Sequence, residues 1–305
     1  MKLEPPAALL DTPPRGWRIW WTAIRPKTLP LAATPAIVGI ALAWAEGAAP
    51  RWLAALATLA AALLIQSGTN LHNDAADFDR GNDRPDRLGP LRITAAGWAS
   101  AAAVRRAAYL AFGLAFLLGI YLASIGGWPI IAIGLASLAA GLAYSGGPRP
   151  LSYTPWGETC VWVFFGVLAV IGSHWLQAGA FSPAALLAGA ALGLPAAAVL
   201  LINNLRDLAS DAAAGRRTLA AVLGEAKTRK LHAALLCAPF LALPALAALL
   251  PGRPGLWLAL LAAPACLGVL RRMRTARGAT LNDVLAATAR AQFIFGFLLA
   301  LGCLI

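Results

Sequence analysis

The chain is poor in charge. Of its 305 residues, 12% are charged and 60% hydrophobic, whereas soluble domains carry roughly a quarter charged residues. That shortage excludes an ordinary water-soluble globule. Acids are scarcer still, 13 against 25 lysines and arginines. The formal charge of +12 would suit a nucleic-acid surface in a soluble protein. Here the basic residues fill short gaps between apolar runs, so anionic lipid headgroups are their natural neighbours and no nucleic-acid partner is expected. The four cysteines, Cys160, Cys237, Cys266 and Cys303, form no CxxC pair, so neither a disulfide framework nor a zinc site is expected. His72, His174 and His232 stand apart in sequence. The amino-terminal stretch has two Pro pairs but no apolar core followed by a small-residue cleavage site, so it does not read as a signal peptide. Nothing resembles an interdomain linker. Residues 1–27 read as a cytoplasmic amino-terminal segment and 28–305 as a single transmembrane domain.

What the chain has in abundance is apolar length. A helix needs about 20 apolar residues to cross a bilayer core. Nine runs qualify: 28–45, 52–69, 99–123, 128–145, 159–177, 184–202, 232–250, 255–270 and 284–305. Backbone groups in lipid must pair internally, and these runs are too long and uniform for barrel strands. The expected fold is therefore all-α, an integral membrane bundle of nine helices. Every lysine and arginine except Arg51 and Arg253, and every acid except Glu46, falls on one side of this alternation. Basic bias marks the cytoplasmic face. The amino terminus is expected inside, in the inner (cytoplasmic) membrane.

Two gaps on that basic side are longer and more polar than the rest. One reads NLHNDAADFDRGNDRPDRLGPLR and the other NNLRDLASDAAAGRRTLAAVLGEAKTRK. Both open with Asn-x-x-x-Asp, as Asn70/Asp74 and Asn203/Asp207, which hints at duplicated helical units. If the second span continues as a helix, Asn70, Asp74 and Asp77 share a face, and Asp207 and Asp211 share one in the second loop. Asp79, Asp83 and Asp86 add further carboxylates. Like charges crowded at a helix end repel, so a cation is needed between them. Oxygen-only donors suit Mg²⁺ completed by substrate phosphate oxygens. Two such clusters suggest a bridged diphosphate, whose departure the metal would assist. Arg80, Arg84, Arg87, Arg92, Arg206, Arg216 and Arg217 lie beside them, with Arg25 and Lys27 at the mouth of the first span. Some can grip phosphate oxygens, although membrane anchoring accounts for most of them, Arg25 least. A prenyl cation released in a dry pocket would find aromatic faces at Tyr144, Trp162, Phe164 and Phe165.

These motifs resemble a known family. The run Asn70-LHN-Asp74-AA-Asp77, followed by Gly81-N-Asp83-RP-Asp86-RLGPLR, resembles the first aspartate motif of the UbiA-type intramembrane prenyltransferases. Asn203-Asn204-L-Arg206-Asp207-LAS-Asp211 resembles the second, and GRRTLAAVLGE the segment after it. RPKTLPLAATPAIVG resembles the family's first helix, and YSGGPRPLSYTPWGE with VFFGVLAVIGSHWLQ its fourth-to-fifth helix region. The resemblance implies nine helices around a central cavity that opens to the cytoplasm. It also implies two Mg²⁺ ions, bridged by the substrate diphosphate and held by Asn70, Asp74, Asp77, Asp83, Asn203, Asp207 and Asp211. Asp74, Asp77, Asp207, Asp211 and Tyr144 would be catalytic. Arg25, Lys27, Arg84, Arg87, Arg92, Ser145, Arg149 and Arg206 would bind the diphosphate or the acceptor. Many members carry a third acid where this chain has Gly81, and Asp83 follows instead. The naphthoate-prenylating branch is similar in that spacing. It implies a polyprenyl diphosphate donor, 1,4-dihydroxy-2-naphthoate as the aromatic acceptor, and decarboxylation to demethylmenaquinone in menaquinone biosynthesis.

Two alternatives stay open. Another member of the family would take 4-hydroxybenzoate, a chlorophyllide, haem or a sugar phosphate. A multi-span transporter would place its ionisable groups near the bilayer midplane, whereas these acids sit at span ends beside arginines.

Overall fold

The computed structural model describes residues 16–83 and 87–305. Among them lie nine helices long and apolar enough to cross a bilayer, and no strand. A short helix, α1 (Trp17–Ala23), comes first. The spans are α2 (Pro26–Ala45), α3 (Trp52–Asp79), α4 (Ala101–Gly126), α5 (Trp128–Ser145), α6 (Gly157–Ala178) and α7 (Pro183–Arg206). After the short α8 (Leu208–Ala213) come α9 (Leu219–Leu249), α10 (Pro254–Thr275) and α11 (Gly278–Leu304).

Side-chain caps start several spans. The hydroxyls of Ser100, Ser182 and Thr218 accept backbone N–H groups one turn on, from Ala103, Ala185 and Ala221, which satisfies donors that would otherwise be orphaned at a helix start. Helices on the charged side run further than hydropathy predicts. α3 continues ten residues past position 69 to Asp79, so the first acidic motif is the end of a helix rather than a loop. α9 begins at Leu219 instead of 232, with a non-helical break at Gly224 (φ 73°).

The largest apolar core joins α2, α6, α7, α9, α10 and α11 through residues such as Val38, Leu42, Val170, Leu192, Leu246 and Leu299. Small residues bring α6 and α7 close. A Cβ on Gly166 would stand 2.5 Å from the Gly189 carbonyl oxygen and from the Gly193 Cα. A π-helical turn, Val163–Val167, occupies the same place in α6. Without a hydrophobic drive between helices in lipid, this close approach is how helices gain contact.

Among the described residues, the end of the bundle opposite the aspartates carries one acid, Glu46. It accepts hydrogen bonds from Ser182 Oγ at 2.6 Å and pairs with His174 Nε2 at 2.8 Å. Gln177 accepts from the Arg51 amide at 2.9 Å and the Trp44 indole at 3.1 Å. This network ties the α2–α3 connection to α6 and α7. Glu46→Ala is expected to lower unfolding free energy by about 2 kcal/mol, since buried donors lose their acceptor. Activity per folded molecule should not change. Thermal melts beside activity assays test both halves of that statement.

Candidate active site

The polar end of the bundle is built on the last turns of α3. Gln66, Asn70, Asn73 and Asp77 recur at intervals of three and four, which places them on one face. All four line a cavity of about 1300 Å³. The end of α7 and α8 close the other side with Asn203, Asn204, Arg206, Asp207 and Asp211. Thr58 also lines the cavity, and from Thr58 to Asp77 α3 rises about 28 Å. Below the acidic end the walls are apolar, including Ile65, Ile120, Leu135, Phe164 and Leu168. The cavity thus has a charged head and a long greasy body.

One contact defines the head. The Arg216 guanidinium donates to Asp77 Oδ1 at 2.5 Å and to Asp211 Oδ1 at 3.4 Å. Asp77 belongs to α3 and Asp211 to α8, so the two acidic motifs face each other across one guanidinium. Arg216 also lies over the Tyr153 ring, 4.6 Å from its centroid. The other Asp77 oxygen receives Arg92 Nη2 at 2.5 Å. Arg92 reaches Asp83 at 2.7 Å and the Asn73 side-chain carbonyl at 2.9 Å as well. Arg206 pairs with Asp207 at 2.5 Å and donates to Asn203 at 3.0 Å. Arginines therefore already supply the counter-charge that the carboxylates need. Among the described residues, no three His, Cys, Asp or Glu side chains converge closely enough to share an ion.

The charges do not balance fully. Burial pushes the Asp211 carboxyl up to about 6, against the pull of Arg216. Burial also raises Asp83, outweighing Arg92 and Arg87. Arg87 is brought down to about 10 by burial and then by the nearby Arg92. Arg25 is lowered by burial and by Arg92 in turn. It is also the described chain's one non-glycine residue with positive φ, at 55°. A left-handed turn is strained for such a residue, and here the turn joins α1 to α2 while Arg25 lines the cavity head. A crowded set of cations in a half-dry cavity attracts a polyanion.

The structure places several of the expected site residues away from the cavity or ties them to other partners. Asp74 does not line the cavity. Its Oδ2 accepts the Ile93 N–H at 3.2 Å, and its Oδ1 accepts the Thr94 N–H at 3.4 Å and the Thr94 hydroxyl. It anchors the loop that carries Arg92. Its neighbour Asn73 lines the cavity instead, so the partner of Asn203/Asp207 is Asn73/Asp77, also four apart. Asn70 lines the cavity, but its amide donates to the Ile24 carbonyl at 2.9 Å and to Thr28 at 3.3 Å, tying α3 to the start of α2. Asp83 sits behind Arg92, with Oδ2 buried and unpartnered among the described residues. Ser145 is buried outside the cavity, and its hydroxyl accepts from Asn73 Nδ2 at 2.7 Å, which aims that amide. Arg149 is exposed and away from the cavity.

The remaining candidates gather as a set. Arg25, Lys27, Arg87, Arg92, Arg206, Tyr144, Asp77, Asn203, Asp207 and Asp211 all line the cavity. Arg84 lies outside the described residues. Of the aromatic residues, Tyr144, Phe164 and Phe165 line it. Trp162 turns away and donates its indole N–H to the Ala190 carbonyl at 2.9 Å. Sequence reasoning passed over Asn73, whose spacing to Asp77 was visible. It also passed over Glu158, a buried acid that accepts from Asn204 Nδ2 at 2.9 Å, for which a lone glutamate at a helix start gives no signal.

Comparison with known proteins follows the same lines. The chain is 38% identical over 290 residues to the 1,4-dihydroxy-2-naphthoate octaprenyltransferase of Escherichia coli (strain K12), covering 93% of this chain and 94% of that protein. It is 36% identical over 283 residues to that of Mycobacterium tuberculosis, covering 92% and 95%. Two solved structures share the fold. A UbiA homolog from Aeropyrum pernix K1 superposes with a TM-score of 0.69 at 18% identity, over 90% of this chain and 97% of that one. A UbiA homolog from Archaeoglobus fulgidus bound to GPP and Mg²⁺ gives 0.63 at 15% identity, over 92% and 99%. The profile of the UbiA prenyltransferase family matches residues 32–301, a stretch that runs from the first span to the last and includes both acidic helix ends, so this membrane-spanning chain belongs to the UbiA prenyltransferase family.

Proposed function

We propose that this chain transfers a polyprenyl group from its diphosphate to 1,4-dihydroxy-2-naphthoate with loss of the acceptor's carboxyl group, giving demethylmenaquinol, the hydroquinone form of demethylmenaquinone, for menaquinone biosynthesis. One observation carries the chemistry. A single guanidinium, Arg216, touches carboxylates from two helices at the charged end of an apolar cavity. The choice of acceptor is supported by the naphthoate octaprenyltransferases that the chain resembles over nearly its whole length.

The donor atoms at the head fit a hard divalent ion in kind. Asp77, Asp207 and Asp211 offer carboxylate oxygens, and Asn73 and Asn203 offer amide oxygens. These residues would hold Mg²⁺, one ion at each motif. Bound there, Mg²⁺ supplies positive charge to the departing diphosphate. Arg25, Lys27 and Arg87 bind the outer phosphate oxygens. As the allylic C–O bond breaks, its electron pair leaves with the diphosphate. The faces of Tyr144, Phe164 and Phe165 stabilise the prenyl cation, and the apolar wall keeps water from capturing it. The acceptor ring carbon forms the new C–C bond. Its carboxylate leaves as CO₂, and the pair from that bond restores the aromatic ring. The Arg and Lys concentrated around the acidic end support a head at the cytoplasmic face of the inner membrane, with the amino terminus inside.

Membranes carrying the chain, supplied with labelled polyprenyl diphosphate, should prenylate 1,4-dihydroxy-2-naphthoate ahead of 4-hydroxybenzoate or a chlorophyllide. EDTA should stop turnover and Mg²⁺ should restore it. A preference for 4-hydroxybenzoate would overturn the acceptor and keep the class.

A further inference from the structure

Asp77 has both oxygens engaged by guanidiniums, Arg92 on one and Arg216 on the other. The two arginines are not held alike. Arg92 is 7% exposed and has three acceptors, Asp77, Asp83 and Asn73. All three lie on α3 or just after it, so Arg92 is fixed to one element. Arg216 has two acceptors on different elements, and the second is long at 3.4 Å. Its Nε is buried without a partner among the described residues, as is that of Arg92. The backbone there is a turn, with Gly215 at φ 70°, tied by the Arg217 N–H to the Tyr153 carbonyl at 2.9 Å. Of the two cations, Arg216 has fewer acceptors, and one of its two contacts is long.

We propose that Arg216 is a placeholder cation for the diphosphate–metal assembly. It joins Asp77 to Asp211 before the donor is bound, and it moves from those carboxylates to phosphate oxygens as the diphosphate enters. This rests on the reading of Asp77 and Asp211 as metal-holding residues. The physical argument is local. Two carboxylates on separate helices repel and would spread apart without a bridge. A guanidinium presents a flat fork that can span them, and the same fork suits phosphate. The Tyr153 ring gives it a surface to slide on. The exchange keeps a positive charge at the head throughout, and it couples release of the carboxylates to the presence of a donor. Arg216 acts here as a positioning residue for Asp77 and Asp211.

The test is a binding measurement on the full chain in nanodiscs. Mn²⁺ stands in for the metal and its free concentration is read by electron paramagnetic resonance. The key variant is Arg216→Lys, which keeps the charge but cannot bridge. Without diphosphate, Arg216→Lys is expected to bind Mn²⁺ about tenfold more tightly than wild type, the value of one charge-assisted hydrogen bond. Geranyl diphosphate, added without acceptor, should close that gap. Tyr153→Leu, which removes the ring but not the arginine, should shift Mn²⁺ binding the same way by a smaller factor. It keeps the test open if substitution at Arg216 impairs folding. Equal Mn²⁺ affinity for wild type and Arg216→Lys without diphosphate overturns the placeholder, even if Arg216→Gln binds more tightly, because loss of charge alone explains that result. Failure of every form to bind Mn²⁺ with geranyl diphosphate present would take down the metal-holding reading and the placeholder together.

Discussion

Replacing Asp77 with asparagine is expected to lower kcat for prenyl transfer by about a thousandfold, the size of effect seen when one preorganised electrostatic group is removed from a transition state. The side chain keeps its shape and one oxygen, and it loses the charge. That charge sits where the two acidic motifs meet, with Arg216 on one oxygen and Arg92 on the other. In the proposed reaction it helps hold the ion that receives the leaving diphosphate. KM for the donor should rise much less than kcat falls, because the carboxylate matters most as charge develops on the departing oxygen. Asp207→Asn should behave similarly, and the double variant should lose little more than either single one, since the two act as a unit. Single-turnover assays in nanodiscs, beside thermal melts showing an intact fold, provide the measurement. An Asp77→Asn enzyme that keeps a tenth of the wild-type rate would remove Asp77 from the chemistry.

Much of the architecture was legible in the apolar runs, because lipid leaves a helix few alternatives. Hydropathy failed at the charged ends. It stopped the second span at 69, whereas α3 runs to Asp79. A hydropathy window responds to carboxylates as it does to a loop. Helix propagation is limited only by whether those carboxylates find partners, and here Arg92, Arg216, Thr94 and Asn82 provide them. The start of α9 was missed for the same reason, since Glu225, Lys227, Arg229 and Lys230 make that stretch look like a loop while Thr218 caps it as a helix.

The site was legible as a set of residue types and less so as a geometry. Two acidic motifs on one side, facing one another, followed from spacing and span count. Which asparagine belongs to the first motif did not. Asn70 and Asn73 both stand near Asp77, and Asn70/Asp74 offered the same interval of four as Asn203/Asp207. Consecutive residues on a helix point about 100° apart, so a shift of register by three changes which carboxylate meets the cavity. The hydrogen bond from Asn73 to the Ser145 hydroxyl on another helix has no counterpart in local sequence. Nor does the pairing of Asp77 with Arg216, which stand 139 residues apart in the chain.

Asp74→Ala is expected to fail for a different reason from Asp77→Asn, and the difference separates a scaffold role from a chemical one. The Asp74 carboxylate is 2% exposed. It receives the N–H groups of Ile93 and Thr94 together with the Thr94 hydroxyl. Removing it orphans several buried donors at once, and an unpaired donor costs about 1–3 kcal/mol. A loss of about 3 kcal/mol in unfolding free energy follows, visible as a large fall in melting temperature. Asp74→Asn, which retains one acceptor oxygen, should recover about half of that. Activity should fall in Asp74→Ala as well, because the loop it anchors carries Arg92, and Arg92 aligns Asn73 with Asp77. That fall should track the fraction of chains with the loop in place, so lower temperature should restore turnover in Asp74→Ala and leave Asp77→Asn inactive. If Asp74→Ala melts like wild type yet shows a thousandfold loss at every temperature, then Asp74 takes part in the reaction itself. The register of the first motif would have to move back by three residues.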